Sequence, residues 1–361
     1  WWTGPDSGDV WEILPTASFF GGVCDLTDLD TGGFCADSLR QHVYTLLTKD
    51  TPASQIVDYE VKVEVCNAGL EEVNCKQYPA GNYKPTGILQ KYGEPGRLSF
   101  GVLTGSYTKN KSGGVLRKPI GSIVDEIEAA TGRFMYKYDS SVEGIVKTID
   151  NLRVVGFHYA GGAGSDYAYI DNCGWITDRP INQGECRMWG NPVGEMMYEG
   201  MRYFAGKGAP LGDFTYDTTA SLDDNVLGLP KPAWDDPYQT HNYCSKPFML
   251  VLSDIYPTYD SDQLPNSYFE LNDNPGTYYS VTGDDLAALD VDALADMILV
   301  NEGDTGSHYI GQVQSTYDGS CLPKNMAGFG DVRGLCPEEP TKQGSYYAAS
   351  VAYHGRTQDI N

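Results

Sequence analysis

Apolar positions along this chain follow two different periods, separated by long polar stretches. Tyr59-Glu60-Val61-Lys62-Val63-Glu64-Val65 alternates apolar and polar, which predicts a strand with one wet face. Arg97–Leu103 is more apolar and predicts a deeper strand, and Val115–Lys118 a short extended segment. The period then lengthens. Ser122 and Asp125 have capping-box spacing ahead of IVDEIEAATG, a helix with Ile123 and Ile127 on one face and Gly132 as its stop. VEGIVKTIDNL, residues 142–152, predicts a second helix, with Ile145, Ile149 and Leu152 aligned, and RVVGFHY at 153–159 a third strand. Asn191 as N-cap and Pro192 as first helical residue open a helix that Gly206 ends. Its stripe of Val193, Met197, Met201 and Phe204 reads as core.

The stretch Cys244–Pro265, CSKPFMLVLSDIYPTYDSDQLP, organises the rest. Phe248–Leu252 is continuously apolar, short and bounded by Pro247, the pattern of a strand buried on both faces of a sheet. Asp254 follows it, at the edge where open α/β sheets bind ligands. It reads either as a hard-cation ligand or active-site carboxylate, or as a loop buttress bonded to backbone. Beyond it, Asp284–Val300 predicts a helix capped by Asp292, and His308–Val313 a strand. Pro340–His354 predicts a last helix with Tyr347, Val351 and His354 aligned. Near the start, WWTGPDSGDVWEILP reads as loop, and LRQHVYTLL as a helix with Leu39, Val43 and Leu46 on one face. Strands alternating with helices predict an α/β fold with a mostly parallel sheet covered on both faces. That domain would run from 56 to 361, after a loop-rich extension at 1–55, with insertions near 159–190, 207–243 and 255–283.

Charge and cysteine content narrow the function. Against 25 Lys and Arg stand 49 Asp and Glu, a formal net charge of −24, which disfavours a nucleic-acid partner. Eight of nine cysteines fall in sequential pairs: Cys24 with Cys35, Cys66 with Cys75, Cys173 with Cys186, Cys321 with Cys336. None has CxxC spacing, so they read as disulfides of an exported protein, adjacent pairing being the simplest of several connectivities. Cys244 is left over, as a buried thiol or as the partner of a cysteine elsewhere. The loop from Cys24 to Cys35 is acidic but lacks the ligand spacing of a calcium loop. No apolar run approaches the ~20 residues that span a bilayer, and any export signal would lie upstream of Trp1 or have been removed.

Four segments together resemble one family: GILQKYGEPGRLSFGVLTGSYTKNKSGGVLRK, WGNPVGEMMYEGMRYFAG, CSKPFMLVLSDIYPTYDSDQLPNS and DVRGLCPEEPTKQGSYYAASVAYHGRTQDIN. From about Tyr59 to Asn361 the chain resembles the amino-terminal region of the PilY-type proteins, type IV pilus assembly and tip-associated adhesins. The resemblance implies a von Willebrand factor A-like, doubly wound α/β domain with long disulfide-stapled insertions. It implies Mg²⁺ or Ca²⁺ at the carboxyl edge of the sheet, with Asp254 in the place of the third ligand motif. Asn191 stands where the second motif has a threonine, as an oxygen ligand or simply a helix cap, and the first motif, D-x-S-x-S, is not found. The family's carboxy-terminal propeller has no counterpart in the sequence. The implied function is non-enzymatic: pilus assembly and tip adhesion outside the cell, docking minor pilins and contacting a surface or host receptor.

Two other readings compete. A secreted glycosidase would use carboxylates such as Asp260 and Asp262. The five histidines form no HExxH motif, however, and no GxSxG elbow or P-loop occurs. A purely structural, force-bearing module is the other. If the implied cation binds, calorimetric titration with Ca²⁺ or Mg²⁺ gives a binding isotherm that Asp254→Ala abolishes.

Overall fold

The computed structural model describes residues 65–152, 179–215 apart from 188, 222–269 apart from 254, and 286–360 apart from 287, 338 and 339, with 276, 278 and 279; from 1–64 and 153–178 it describes only the backbone of short strands. The chain divides into two compact units. The first comprises 1–86, 130–132 and 153–170, and the second the remainder.

The first unit holds an antiparallel sheet of β1 (Trp2–Thr3), β2 (Val10–Pro15), β3 (Val43–Thr48) and β4 (Asp58–Glu60), in that order. The stretch expected to be loop thus supplies β2, and the expected helix at 39–47 supplies β3. VYTLLT is rich in β-branched and aromatic residues, and its pairing with β2 and β4 overrides the helical spacing of Leu39, Val43 and Leu46. A hairpin of β5 (Cys75–Gln77) and β6 (Tyr83–Pro85) follows, stapled by the Cys66–Cys75 disulfide.

In the second unit β7 (Phe100–Thr104) pairs with β8 (Val115–Gly121), antiparallel. Both strands were expected; their direction was not. The two-stranded pair of β9 (Phe157–His158) and β10 (Ala168–Tyr169), which belongs to the first unit, is antiparallel as well. A final sheet has the order β12-β11-β13, from β11 (Gly306–Val313), β12 (Thr316–Met326) and β13 (Val332–Leu335). Strand β12 escapes sequence detection because Gly319 and Pro323 interrupt it. It lies at the edge of its sheet, where a missing N–H is tolerated. The Cys321–Cys336 disulfide ties it to the end of β13.

Every strand pair among the described residues is antiparallel. The expected doubly wound, von Willebrand factor A-like parallel sheet is therefore not the fold. The physical reason is connectivity: β7 returns directly into β8, and β11 into β12 across Gln314 and Ser315, so no helix crosses between parallel neighbours. The expected central strand, 248–252, has no strand partner among the described residues.

The core is helical. Helices α2 (Val193–Phe204), α5 (Val291–Glu302) and α6 (Tyr347–Thr357) bury Tyr198, Met201, Val291, Ala295, Tyr347 and Val351 with Leu211, Phe214 and Leu264. The α2 and α6 stripes fall where the periodicity placed them. Helix α5 starts at Val291, capped by Asp290 through Ala293 N–H at 2.9 Å, not by Asp292. The Ser350 hydroxyl donates to Val291 O at 2.8 Å and locks α6 onto α5.

No helix forms at 123–132. Instead Glu126 turns inward, pairs with Lys118, and accepts from Ile145 N (3.1 Å) and Val146 N (2.9 Å). It thereby caps α1 (Ile145–Asn151), whose own N-cap is Gly144. A Cβ on Gly144 would lie 2.1 Å from the Glu126 carboxyl carbon. Ile123 and Ile127 still reach the core, against Ile145, while Ile149 is exposed. Among the described residues no helix is long and apolar enough to cross a membrane.

Of the two short helices α3 (Leu222–Val226) and α4 (Pro237–Thr240), α3 is fixed by a buried ion pair, Arg117 Nη2 to Asp224 Oδ1 at 2.5 Å. Arg117 also donates to Thr104 Oγ1, Gly105 O and Pro230 O, and Asp224 accepts from Tyr107 N. Asp224→Ala strands a buried guanidinium and should lower stability by ~3–5 kcal/mol in urea unfolding.

Candidate functional site

The Asn191–Asp262 neighbourhood gathers several of the residues singled out from sequence. Asn191 does not cap α2 with its side chain; the residue preceding the helix is Pro192. Its amide instead donates to Ser253 Oγ (2.9 Å), Ile255 O (3.3 Å) and Tyr256 O (3.2 Å). Its backbone N–H donates to Thr258 Oγ1 at 2.8 Å, and its carbonyl accepts from Thr258 N at 3.0 Å. Asn191 thus clamps the loop that follows residues 248–252. Asp254 lies outside the described residues, as do Cys24, Cys35 and Cys173. Cys186 is buried and disulfide-bonded, and Cys244 is an exposed free thiol.

The Asn191 NH2 group is directed at neutral oxygens, the arrangement of a loop clamp. Among the described residues, the one group of three His, Cys, Asp or Glu side chains close enough to share an ion is Cys66, Glu72 and Cys75. Its two sulfurs are joined to each other, so neither offers a thiolate.

Asp260, a candidate acid/base group in the hydrolase reading, is completely buried. Its Oδ2 accepts from Gly194 N (3.2 Å), at the start of α2. Its Oδ1 accepts from Ser345 N (2.8 Å) and Oγ (3.0 Å), just before α6. A carboxylate so enclosed meets no glycan; it joins two helix starts. Burial raises its pKa to about 7, against the lowering effect of those donors. Glu195 is also fully buried, one oxygen accepting from Gly113 N at 2.6 Å and the other without a hydrogen-bond partner. Burial, then the nearby Asp262 and Asp260, hold its carboxyl protonated well above the ordinary range. Burial likewise lifts Glu199 to about 7, although Arg202 Nη1 sits 2.6 Å away. Sequence reading missed Glu195, Thr258 and Ser345. An acid in the first turn of a helix ordinarily signals a solvated group favoured by the helix dipole, and nothing in the sequence marks Glu195 as enclosed.

Residues 248–252 project from this clamp with their side chains largely in solvent. The expected burial on two faces is overturned, because no neighbouring strand among the described residues covers either face. Elsewhere, a cleft of about 390 Å³ lies between 114–116 and 231–234. Its walls include Phe214 and Trp234 and no carboxylate, histidine or cysteine.

These buried carboxylates set a pH dependence. Each has a folded-state pKa above its unfolded value, so the native state binds more protons between about pH 4 and 7, and stability falls as pH rises through that window. The exposed Asp139 and Asp318, held low by hydrogen bonds, act in the opposite sense only at more acid pH. Urea midpoints should therefore drop from pH 5 to pH 8. Asp260→Asn should cost ~1–3 kcal/mol at pH 5 by losing an acceptor, yet show a shallower decline.

Residues 100–355 match the family model described as PilY1 homolog, second domain. The chain is 43% identical over 317 residues to a protein of Xylella fastidiosa named Type IV pilus biogenesis factor PilY1 homolog, a match covering 83% of this chain and 20% of that protein. It spans about a fifth of that relative's length. No solved structure matches it. The matched region is the family's second domain rather than a von Willebrand factor A-like region. On the extent of both matches, the chain belongs to the PilY1 homolog family.

Proposed function

We propose that this chain is a non-enzymatic docking domain of a type IV pilus biogenesis factor, working outside the cytoplasm. The observation that carries the reading is the 43% identity across 83% of the chain to a relative bearing that name. The Cys66–Cys75 and Cys321–Cys336 disulfides fit an oxidising compartment. Asp260, once eligible for hydrolysis, serves to fix two helix starts, which fits a scaffold better than a catalyst. In the finer form of the proposal the domain acts at the pilus tip. It docks minor pilins there and contacts a surface or host receptor, with Mg²⁺ or Ca²⁺ at Asp254 aiding that contact.

The test is an in-frame chromosomal deletion of codons 100–355. Surface pili are counted after shearing, and attachment to abiotic and host surfaces is scored. Loss of pili points to assembly, and intact pili with lost attachment point to adhesion. Normal piliation together with normal attachment would overturn the proposal.

A further inference from the structure

The cleft of about 390 Å³ at the start of β8 has two walls, 208–210 and 231–234, over a floor of Val115, Leu116 and Phe214. The floor is buried, whereas Gly208, Ala209, Lys231 and Ala233 stay exposed along the rim of the folded chain. A Cβ on Gly208 would meet nothing within 4 Å. The undescribed stretch that adjoins a lining residue in sequence, 216–221 after Thr215, reads YDTTAS and offers no apolar run to cover the floor.

Each wall is pinned at both ends. On either side of the first, Lys207 N donates to Arg202 O (3.1 Å) and Leu211 N to Glu199 Oε1 (3.2 Å). On either side of the second, Arg117 Nη1 donates to Pro230 O (3.1 Å) and Tyr203 Oη to Asp235 Oδ1 (2.7 Å). Trp234 stands edge-on to Tyr203, ring centroids 5.6 Å apart, with the Arg202 guanidinium 5.7 Å from its own centroid. Between those pins, among the described residues, no hydrogen bond reaches the backbone N–H of Gly208, Ala209, Ala233 or Trp234.

A preformed cleft with aromatic walls and unbonded N–H groups suits a ligand that is apolar and brings hydrogen-bond acceptors. We propose that it binds an extended, proline-containing peptide segment of a partner protein, with an apolar residue between Phe214 and Trp234 and an acidic residue against Lys231. An acyl chain would cover the open N–H groups without giving them acceptors. A regular β-strand cannot pair along either wall, because Pro210 and Pro232 lack the N–H that a ladder needs. A polyproline II segment keeps its carbonyls free to accept, has few N–H groups of its own to satisfy, and packs on aromatic rings. Lys231 is the one charged residue lining the cleft, which sets the complementary charge. The inference rests on the docking reading above and names the chemistry of the docked partner.

The test selects a random-peptide phage library on the 361-residue chain and measures synthetic copies of the enriched peptides by calorimetry. Enriched sequences should pair proline with an apolar residue and an acidic neighbour. Gly208→Trp fills the cleft from its open rim and should weaken binding about tenfold or more with the urea midpoint unchanged, and Trp234→Ala should weaken it as much. Lys231→Glu should shift the preference from an acidic to a basic neighbour. Absence of proline-containing peptides from the selection overturns the proposal, as does binding that Gly208→Trp leaves unchanged. Binding that appears only after 216–221 is replaced by glycine and serine also overturns it, since the chain then covers its own cleft. No pili enter the measurement, so peptide binding can fail while the deletion phenotype stands, and the reverse.

Discussion

One buried carboxylate sets the geometry of the second unit. Asp260 reaches the first turn of α2 with one oxygen and the residue pair leading into α6 with the other. Two helices far apart in sequence are thereby referenced to a single loop. The Ser345 hydroxyl extends the link, donating to Asp260 and accepting from Tyr347 N at 3.2 Å. Tyr347 in turn donates to Gly330 O and accepts from Tyr268 N. An apolar side chain at 260 would supply the packing but leave two backbone donors, Gly194 N and Ser345 N, orphaned, and that cost is what makes the position restrictive.

The same device recurs where a continuous sheet would otherwise do the ordering. Glu126 caps α1 from a distant turn, and Arg117 with Asp224 pins α3 to the β7–β8 hairpin. Glu199 with Arg202 accepts from Leu211 N and fixes the chain as it leaves α2. Small antiparallel ladders cannot position three helices by themselves. Buried polar groups, each with a geometric demand, set the directions, and the apolar cluster around Tyr198, Leu264 and Tyr347 supplies the driving force. The interior carboxylates are costly to ionise, which links the stability of this scaffold to pH.

That scaffold presents rather than encloses. Among the described residues the cleft at 114–116 and 231–234 is lined by no carboxylate, histidine or cysteine, while the exposed apolar run 248–252 leans on α2 through Met249 and is clamped at its far end by Asn191. A net charge of −24 on the chain opposes contact between copies.

Much of the local structure was legible in the sequence. The stripe Val193, Met197, Met201, the alignment of Tyr347, Val351 and His354, and the apolar strands 100–104 and 306–313 follow from periodicity, because burial of one face leaves a repeating mark. Paired cysteine spacing marked two disulfides that the structure contains, and four quoted segments marked the family. Tertiary structure decided the rest. Strand direction depends on where the chain returns, and period two is the same for parallel and antiparallel ladders. Capping-box spacing at Ser122 lost to Glu126, whose partners Lys118, Ile145 and Val146 lie outside the local window. The run Phe248–Leu252 is as apolar as a central strand must be, but burial requires neighbours. The sequence marks this run as one to be covered, and only the folded arrangement shows that no strand among the described residues does so.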